Sequence, residues 1–281
     1  THTRSSAASD VYKRQIMGHG PQIRSAYQNS EKKYNYDKVF EPLEDIISSV
    51  DFAVANLEVT LAGPPYMGYP QFSSPDELAE ACKNNGVDVL VTANNHSCDR
   101  KNSGVIRTVE VLDSFKILHT GTFKDEKKRD QENLLILSKK GIKVGLLNYT
   151  YGTNGIPFST PAYVNMLDSS LIKQDVINTR KKKLDKLIVF VHWGYEYTDF
   201  PNSYQKKFNT FFNEIGVDVV IGSHPHVLQP MIYNIENNKE FLTVFSLGNF
   251  VSNQRESRKD GGAMFRPVSY THLTLPTISC V

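Results

Sequence analysis

The chain has 281 residues, of which 40% are hydrophobic and 22% are charged, and this allows one large domain with a buried core. Residues 1–15 hold three of the 32 basic and one of the 30 acidic residues, and residues 268–281 hold none, so the remainder is neutral. A neutral remainder argues against non-specific nucleic-acid binding. Three cysteines are too few for a disulfide framework, and no apolar run is long enough for a membrane-spanning helix.

The two ends of the sequence differ from the rest. Residues 1–15 and 268–281 show no clear amphipathic pattern, and we interpret both as adaptor- or vector-derived tails that should be left out of fold reasoning. The expectation is a single domain over residues 16–267, with its native ends outside this sequence. The residues alone therefore leave the localisation open.

Helix-like and strand-like segments alternate along this domain. Apolar residues at helical spacing predict helices over residues 36–50, 73–86, 103–115, 169–183 and 204–216. Runs of β-branched residues and leucine predict strands over residues 51–58, 87–96, 143–151, 186–194, 217–226 and 241–250. Such runs are buried on both faces, as in a sheet covered by helices or by another sheet, so the predicted fold class is α/β.

The second predicted helix carries its own start and stop signals. Ser74 is the expected N-cap, Pro75 the first-turn proline and Glu77 the acidic residue of a capping box. Gly86 is expected to end the helix.

Polar side chains that can bind metals follow the ends of several predicted strands. They are Asn56, Glu58, Asn94, Asn95, His96, Asp99, His192, His224, His226 and Asn249. In α/β sheets the loops at the carboxyl ends of the strands converge, and ligands bind there. The sequence therefore predicts a functional site at this edge.

The motif His224-Pro225-His226 places two imidazoles two residues apart at the end of a predicted strand. Pro225 disfavours helix at His224, and on an extended segment side chains at i and i+2 point the same way. A lone histidine is more often a hydrogen-bonded structural residue. With His192 on a neighbouring strand, we interpret the pair as metal ligands.

The ligand types narrow the choice of metal. Imidazoles together with the Glu58 carboxylate and the Asn95 amide oxygen, without a thiolate cluster, suit divalent Mn, Fe or Zn. Donors from at least four strand ends are enough for two ions. A two-metal site would activate water and hold a group in transfer.

Residues 93–100, ANNHSCDR, form the second chemical motif. His96 would donate a proton to a leaving group, and Asp99, three residues on, would orient or charge it. The alternative is a turn in which Asp99 caps the next helix. We favour the catalytic interpretation because histidines lie at equivalent strand ends.

A substrate wall is predicted from two further stretches. The loop over residues 63–75, which contains Tyr66, follows Glu58, and Trp193 lies beside His192. Asn56 and Asn249 are assigned to substrate binding as well. The alternatives are a solvent-exposed loop and an aromatic side chain that packs in the core.

The segments IMGHG, ANLEVTLAG, ANNHSCD, VHWGYEY, GSHPHVLQP and FSLGNFV occur in this order. In this order they resemble motifs of the CapA family of poly-γ-glutamate capsule-synthesis proteins, within the calcineurin-like metallophosphatase superfamily. The resemblance covers about residues 16–265, and GSHPH followed by SLGNF is its most specific part.

The resemblance implies a four-layer α/β/β/α sandwich with a dinuclear metal centre. It implies ligand roles for Glu58, Asn95, His192, His224 and His226, a proton-donor role for His96 with Asp99, and a place near the site for Asn249. The family opens with Gly-Asp-Ile-Met, whose aspartate is a metal ligand, whereas Gln15 stands before Ile16 here. Because Gln15 is neutral, this chain is predicted to bind metal weakly.

Three functions compete at this point. The first is a metal-dependent hydrolase acting on a phosphoester or a γ-glutamyl-type amide, and the second is a non-catalytic metal-binding assembly factor for polymer synthesis or export. The third is a TIM-barrel amidohydrolase. It ranks low because amidohydrolases carry their His-x-His pair early in the chain, whereas here the pair is at residues 224–226, after most of the predicted strands.

The resemblance also suggests where the protein works and with what. It implies a polyanionic polymer or a small phosphoester or amide as substrate, a biosynthesis complex as partner, and a place in the cell envelope. No nucleic-acid partner is expected.

Overall fold

Two large β-sheets lie at the centre of the fold in the computed structural model, which describes residues 7–236, 239–270 and 274–280. The helices are α1 (Gly20–Ala26), α2 (Asp37–Phe40), α3 (Glu44–Ser48), α4 (Glu77–Asn84), α5 (Lys101–Ser114), α6 (Glu126–Glu132), α7 (Ser169–Thr179) and α8 (Ser203–Ile215). The strands are β1 (Ala7–Ile16), β2 (Tyr27–Gln28), β3 (Lys33–Tyr34), β4 (Phe52–Leu57), β5 (Val89–Val91), β6 (Leu118–Thr120), β7 (Thr122–Phe123), β8 (Leu135–Lys139), β9 (Ile142–Thr150), β10 (Tyr163–Val164), β11 (Lys186–His192), β12 (Val219–Ser223), β13 (Leu228–Glu236), β14 (Lys239–Leu247), β15 (Asn249–Val251), β16 (Ala263–Tyr270) and β17 (Thr274–Cys280).

The first sheet has the strand order β17-β16-β1-β4-β5-β6, and β15 also pairs with β1. Strands β1, β4, β5 and β6 run parallel, as does β15 beside β1. Their carboxyl ends therefore lie along one edge of this sheet.

The second sheet has the strand order β13-β14-β12-β11-β9-β8. Its four inner strands are parallel, whereas β8 and β13 pair antiparallel with their neighbours at the two edges. Strands β11 and β12 end in register, with His192 opposite Ser223.

Three apolar clusters hold four layers together. One packs α4 and α5 against β4, one fills the space between the two sheets, and one packs α7 and α8 against β11 and β12. Along β4, Ala53 and Ala55 face the helices while Val54 faces the second sheet. Both faces are therefore buried, and this explains the continuous apolar runs.

The layers confirm the predicted α/β fold and the α/β/β/α sandwich. They contradict the TIM-barrel alternative, since the parallel strands lie in two separate large sheets and not in one closed barrel. Within the described residues, every helix is too short or too polar to cross a lipid bilayer.

The predicted helix over residues 36–50 is broken. Helix α2 ends at Phe40, a 3₁₀ turn covers Glu41–Leu43, and α3 begins at Glu44. Pro42 lies in the turn. Because proline has no backbone N–H, it removes a hydrogen bond inside an α-helix and breaks the helix there.

The predicted start of the next helix is misplaced, whereas Gly86, with a φ of 86°, follows the end of the helix as predicted. Helix α4 begins at Glu77, its N-cap position is Asp76, and no side chain caps it. Ser74 instead lies two residues before that N-cap, and its N–H donates to the Thr60 carbonyl at 2.9 Å. The capping-box pattern therefore marked the approach to the helix and not its first turn.

Some strands differ from their predicted bounds. The strand predicted over residues 217–226 ends at Ser223, before the His-Pro-His motif, and the strand predicted over residues 241–250 divides at Gly248. Gly248 has a φ of 74°, a left-handed conformation that suits glycine.

Parts of the predicted tails lie within the first sheet. The backbone of residues 7–15 forms most of β1, paired with β4, and residues 274–280 form β17, paired with β16. Residues 1–6, 271–273 and 281 lie outside the described residues. The origin of these tails stays a prediction.

Candidate metal centre

The carboxyl edges of the two sheets meet at Glu58, which follows β4, and His192, which ends β11. Glu58 Oε1 lies 3.4 Å from His192 Nε2 and 3.9 Å from His226 Nε2. All three residues are buried. Residues more than a hundred positions apart in the chain therefore share one small volume, as the strand-end pattern predicts.

Glu58, His224 and His226 could hold a metal ion. Each offers one ligand atom, and the three atoms lie within 4.8 Å of one another. Among the described residues, Glu58 Oε1 and His224 Nδ1 are buried and have no hydrogen-bond partner. A buried polar atom without a partner is costly, and a cation between these residues would satisfy both atoms, so the site fits a metal.

The His-Pro-His backbone is not extended, contrary to the sequence prediction. His224 has a φ of 100° and His226 a φ of 58°. Left-handed backbone at a non-glycine residue costs about 1–3 kcal/mol and is concentrated at functional sites. The Tyr197 N–H donates to the Pro225 carbonyl at 2.8 Å and helps to hold this turn.

Polar neighbours orient two of the imidazoles. His192 Nδ1 lies 2.9 Å from Ser223 Oγ, and His226 Nδ1 lies 2.9 Å from Asn249 Oδ1. Each contact leaves the Nε2 atom of the same ring facing Glu58. Outer partners of this kind fix the ring orientation and the tautomer of metal-ligating histidines.

Asn95 joins the centre from the loop after β5. Its Oδ1 lies 2.9 Å from His192 Nε2, and its Nδ2 donates to Asn154 Oδ1 at 3.2 Å. An amide oxygen and an imidazole nitrogen in contact are both donor atoms for a cation. The predicted ligand Asn95 is thus beside the predicted ligand His192.

Burial keeps the imidazoles uncharged. Burial, with a smaller contribution from neighbouring histidines, lowers the pKa of His224 to about 3. Burial also lowers the pKa of His226 to about 4, although its hydrogen bond with Asn249 partly opposes this shift. The pKa of His192 falls well below its usual value for the same reasons as that of His224. Neutral imidazoles offer lone pairs, as metal binding requires.

The Glu58 carboxyl has the opposite shift. Burial raises its pKa well above the usual value, and the charge of Glu196 raises it further. Asn56 Nδ2 donates to Glu58 Oε2 at 3.3 Å, which satisfies only one of the two oxygens. Without a cation, this carboxyl is therefore an expensive group to bury.

Gln15 lies at the end of β1, in register with Asn56 on one side and Asn249 on the other. Its side chain is buried and close enough to Glu58 to favour the charged carboxylate, yet neither amide atom makes a hydrogen bond of normal geometry with a described residue. The position faces the centre, and its equivalence to the first-strand ligand of the family stays a prediction.

His96 and Asp99 form a pair beside the centre. His96 Nδ1 lies 2.7 Å from Asp99 Oδ2, which also accepts the Phe72 N–H at 2.7 Å. The Phe72 ring meets the His96 ring edge to face at 4.7 Å. Helix α5 begins after Arg100 without a side-chain cap, so Asp99 orients His96 and does not cap the helix.

Of the two aromatic residues predicted to line the substrate, Trp193 lies in the core and Tyr66 lies in a partly exposed loop. Trp193 is fully buried in the core, its indole N–H donates to the Phe245 carbonyl at 3.0 Å, and its ring stacks on Phe245 at 5.8 Å. This corrects its assignment, because no part of the indole can reach a substrate. Tyr66 is half-buried in the loop and contacts Tyr34 at 5.2 Å.

Sequence reasoning missed two aromatic residues at the centre. The Tyr151 ring lies 4.8 Å from the His224 ring and 6.3 Å from the His192 ring, and the Tyr197 ring lies 5.8 Å from the His226 ring. Tyr151 directly follows β9, so the strand-end rule could have identified it. Tyr197 lies in a loop whose path the sequence does not show.

Sequence comparison relates this chain to capsule-synthesis proteins. The sequence profile of the family described as "Bacterial capsule synthesis protein PGA_cap" matches residues 15–254. The "Capsule biosynthesis protein CapA" of Bacillus anthracis is 27% identical over 243 residues, which cover 83% of this chain and 58% of the relative. The "PGA biosynthesis protein CapA" of Bacillus subtilis (strain 168) is 27% identical over 271 residues, covering 92% of this chain and 67% of the relative. The chain therefore spans about three fifths of the length of these relatives.

Solved structures share the fold. The NAD nucleotidase NadN of Haemophilus influenzae superimposes with a TM-score of 0.59 at 11% identity, over 98% of this chain and 51% of that chain. The calcineurin-like phosphoesterase YfkN of Bacillus subtilis superimposes with a TM-score of 0.51 at 12% identity, over 98% of this chain and 91% of that chain. At these identities the likeness shows the metallophosphatase fold alone.

Proposed function

The chain belongs to the bacterial capsule synthesis protein PGA_cap family, and from that premise we propose that it is a metal-dependent hydrolase. Its substrate would be a phosphoester or a γ-glutamyl-type amide, with the phosphoester favoured by the metallophosphatase fold. The observation that carries the proposal is the buried Glu58 Oε1, which faces three neutral imidazoles without a hydrogen-bond partner among the described residues.

The ligand set would come from both sheets. Glu58, His192, His224 and His226 would hold the metal together with Asn95, and divalent Mn, Fe or Zn suits these donors. When bound, such ions polarise the scissile group and activate water, and two ions would share the work. Tyr151 and Tyr197 cover the imidazoles and would limit the entry of bulk water.

The proton for the leaving group would come from His96. In phosphoester hydrolysis a water oxygen bonds to phosphorus while the bond to the leaving oxygen breaks, and that oxygen needs a proton. His96 Nδ1 is held by Asp99, which leaves Nε2 free to give the proton. Asp99 also stabilises the charged imidazole before transfer.

A second candidate is a non-catalytic assembly factor for an exported polymer. The observation in its favour is that both relatives are named for capsule or PGA biosynthesis and neither is named for a hydrolytic reaction. In this case the metal, if bound, would hold the loops together without catalysing a reaction.

The names of the relatives suggest the binding partners and the cellular location that we propose. Two curated relatives are named as capsule and PGA biosynthesis proteins, so we infer work on an envelope polymer or its precursor, alongside other biosynthesis proteins. A polyanionic polymer is one candidate substrate and a small phosphoester is the other.

The test is hydrolysis of p-nitrophenyl phosphate and of poly-γ-glutamate by the full chain with added Mn²⁺. We expect phosphatase activity that is removed by chelation and by His224→Asn, with folding checked by circular dichroism. Metal binding without hydrolysis of either substrate would reject the hydrolase and leave the assembly factor.

A further inference from the structure

A cleft of about 550 Å³ opens beside the candidate metal centre. Its lining includes Tyr151, Tyr195, Glu196, Asn202, Tyr204 and His224. His224 belongs to the metal cluster and the Tyr151 ring lies against it at 4.8 Å, so a group in the cleft would be next to the reacting atoms.

Aromatic rings dominate the walls of this cleft. Tyr195 is 67% exposed, Tyr204 is 40% exposed and Tyr151 is 38% exposed. Large aromatic side chains that remain accessible beside a polar centre mark a binding surface, because burying their faces against a ligand removes apolar area from water.

The charge of the cleft is negative. Glu196 lines it, and no lysine or arginine appears among its described lining residues. Lys259 lies over the Tyr197 ring at 3.9 Å and is paired with Glu256 at 2.6 Å, outside the cleft. A carboxylate with exposed tyrosine faces attracts cations and repels anions.

We propose that this cleft binds an ammonium group at the far end of the substrate, so that the substrate class is an alkylammonium phosphoester. The inference rests on the proposed hydrolase function. Glu196 supplies the opposite charge, and the faces of Tyr195 and Tyr204 contact the ammonium group. A polymer of carboxylates would meet repulsion at this wall.

The test compares three esters that differ in charge. Phosphocholine carries a quaternary ammonium group, 3,3-dimethylbutyl phosphate is its uncharged isostere, and 3-phosphoglycerate carries a carboxylate. With the Mn²⁺-loaded full chain, we expect kcat/KM for phosphocholine to exceed that for the isostere by about tenfold, with 3-phosphoglycerate lowest. Equal values for the first two esters, or an advantage for the third, would overturn the proposal.

Variants identify the groups that recognise the charge. Glu196→Gln should bring the ratio of phosphocholine to its isostere close to one, whereas Glu214→Gln, an exposed carboxylate on α8 outside the cleft lining, should leave the ratio unchanged. Tyr195→Phe should retain the preference and Tyr195→Leu should reduce it. If the ratio stays the same in Glu196→Gln, Glu196 does not recognise the ammonium group and the proposal is wrong.

Binding of choline alone separates this inference from the hydrolase proposal. Saturation-transfer NMR should detect choline on the wild-type chain, with a weaker signal on Glu196→Gln and for 3,3-dimethylbutanol. Glu196-dependent choline binding without hydrolysis would uphold the cleft and reject the hydrolase. Hydrolysis with no preference for the charged ester and no binding of choline would uphold the hydrolase and reject the ammonium site.

Discussion

His192 and Glu58 come from different sheets, yet His192 Nε2 and Glu58 Oε1 lie 3.4 Å apart, and both side chains are completely buried. Burial disfavours charge on each of them, raising the pKa of Glu58 and lowering that of His192. The two groups are therefore costly to bury in the metal-free protein, and a cation bound between them would balance the carboxylate charge and accept the imidazole lone pair.

Replacing Glu58 should separate stability from metal binding. In Glu58→Gln the buried carboxyl becomes a neutral amide, so we expect the melting temperature of the metal-free protein at pH 7 to stay equal or rise. Affinity for Mn²⁺ or Zn²⁺, measured by isothermal titration calorimetry, should fall at least about tenfold because an anionic ligand is lost. A variant that keeps its affinity would remove Glu58 from the ligand set.

The His96–Asp99 pair should act on the chemical step alone. We expect His96→Gln to lower kcat for an alkyl phosphoester by about 10²-fold, and Asp99→Asn to lower it by a similar or smaller factor, with metal content unchanged. Rate constants for this ester and for p-nitrophenyl phosphate measure the loss, and elemental analysis measures the metal content. Because p-nitrophenolate leaves without help, an alkyl ester should show the larger loss, and equal losses on both esters would contradict a proton-donor role.

Gln15 offers a gain of function. Gln15→Asp places a carboxylate at the end of β1, beside Asn56 and Asn249, where the side chain is already buried. We expect the metal content of the purified protein to rise, and phosphatase activity with it. Gln15→Glu adds the same charge at the length of the native side chain, one methylene longer than aspartate, and is the matched control. Because a metal site needs its ligands at defined positions, Gln15→Glu should gain less than Gln15→Asp. No increase with aspartate would count against the assignment of this position.

Acid should destabilise the metal-free protein through the buried histidines. An unfolded histidine takes up a proton near pH 6.5, whereas the pKa of folded His226 is about 4 and that of folded His224 about 3. Between these values the unfolded chain binds more protons, so stability falls as the pH falls, by roughly 1.5 kcal/mol for each imidazole between pH 6.5 and 5.

Glu58 opposes this trend, because its raised pKa makes the folded state take up a proton above pH 4.5. Urea unfolding in EDTA should therefore show a steeper loss of stability with acid in Glu58→Gln than in the wild type. His226→Gln should show a shallower loss. Identical pH profiles in all three proteins would exclude these residues as the source.

Gly222 in β12 has no room for a side chain. A methyl group there would lie 2.0 Å from the Phe245 carbonyl oxygen and 2.4 Å from Trp193 Nε1. It would therefore collide with both partners of the hydrogen bond between Trp193 and Phe245. We expect Gly222→Ala to lower the free energy of unfolding by about 1–3 kcal/mol or more. A methyl group added at Gly152 would meet no other atom within 4 Å, so Gly152→Ala should change the free energy of unfolding by less than about 0.5 kcal/mol. Urea unfolding of both variants measures the difference.

The sequence by itself determined the fold class and the edge where the site forms. Apolar runs such as residues 186–192 are local signals of strands buried on both faces, and the polar residues that follow them, including Glu58 and His192, must lie at the carboxyl ends of those strands. Strand direction and strand ends are one-dimensional information, so no tertiary contact is needed to locate them.

Only the tertiary structure decided which side chains meet. The left-handed backbone of His224 and His226, the burial of Trp193 and the exposure of Tyr195 depend on how loops pack between the two sheets. A loop residue has no periodic pattern that fixes its direction, and its path is set by contacts with residues distant in the chain. The cleft beside His224 therefore became visible only once the two sheets were in place.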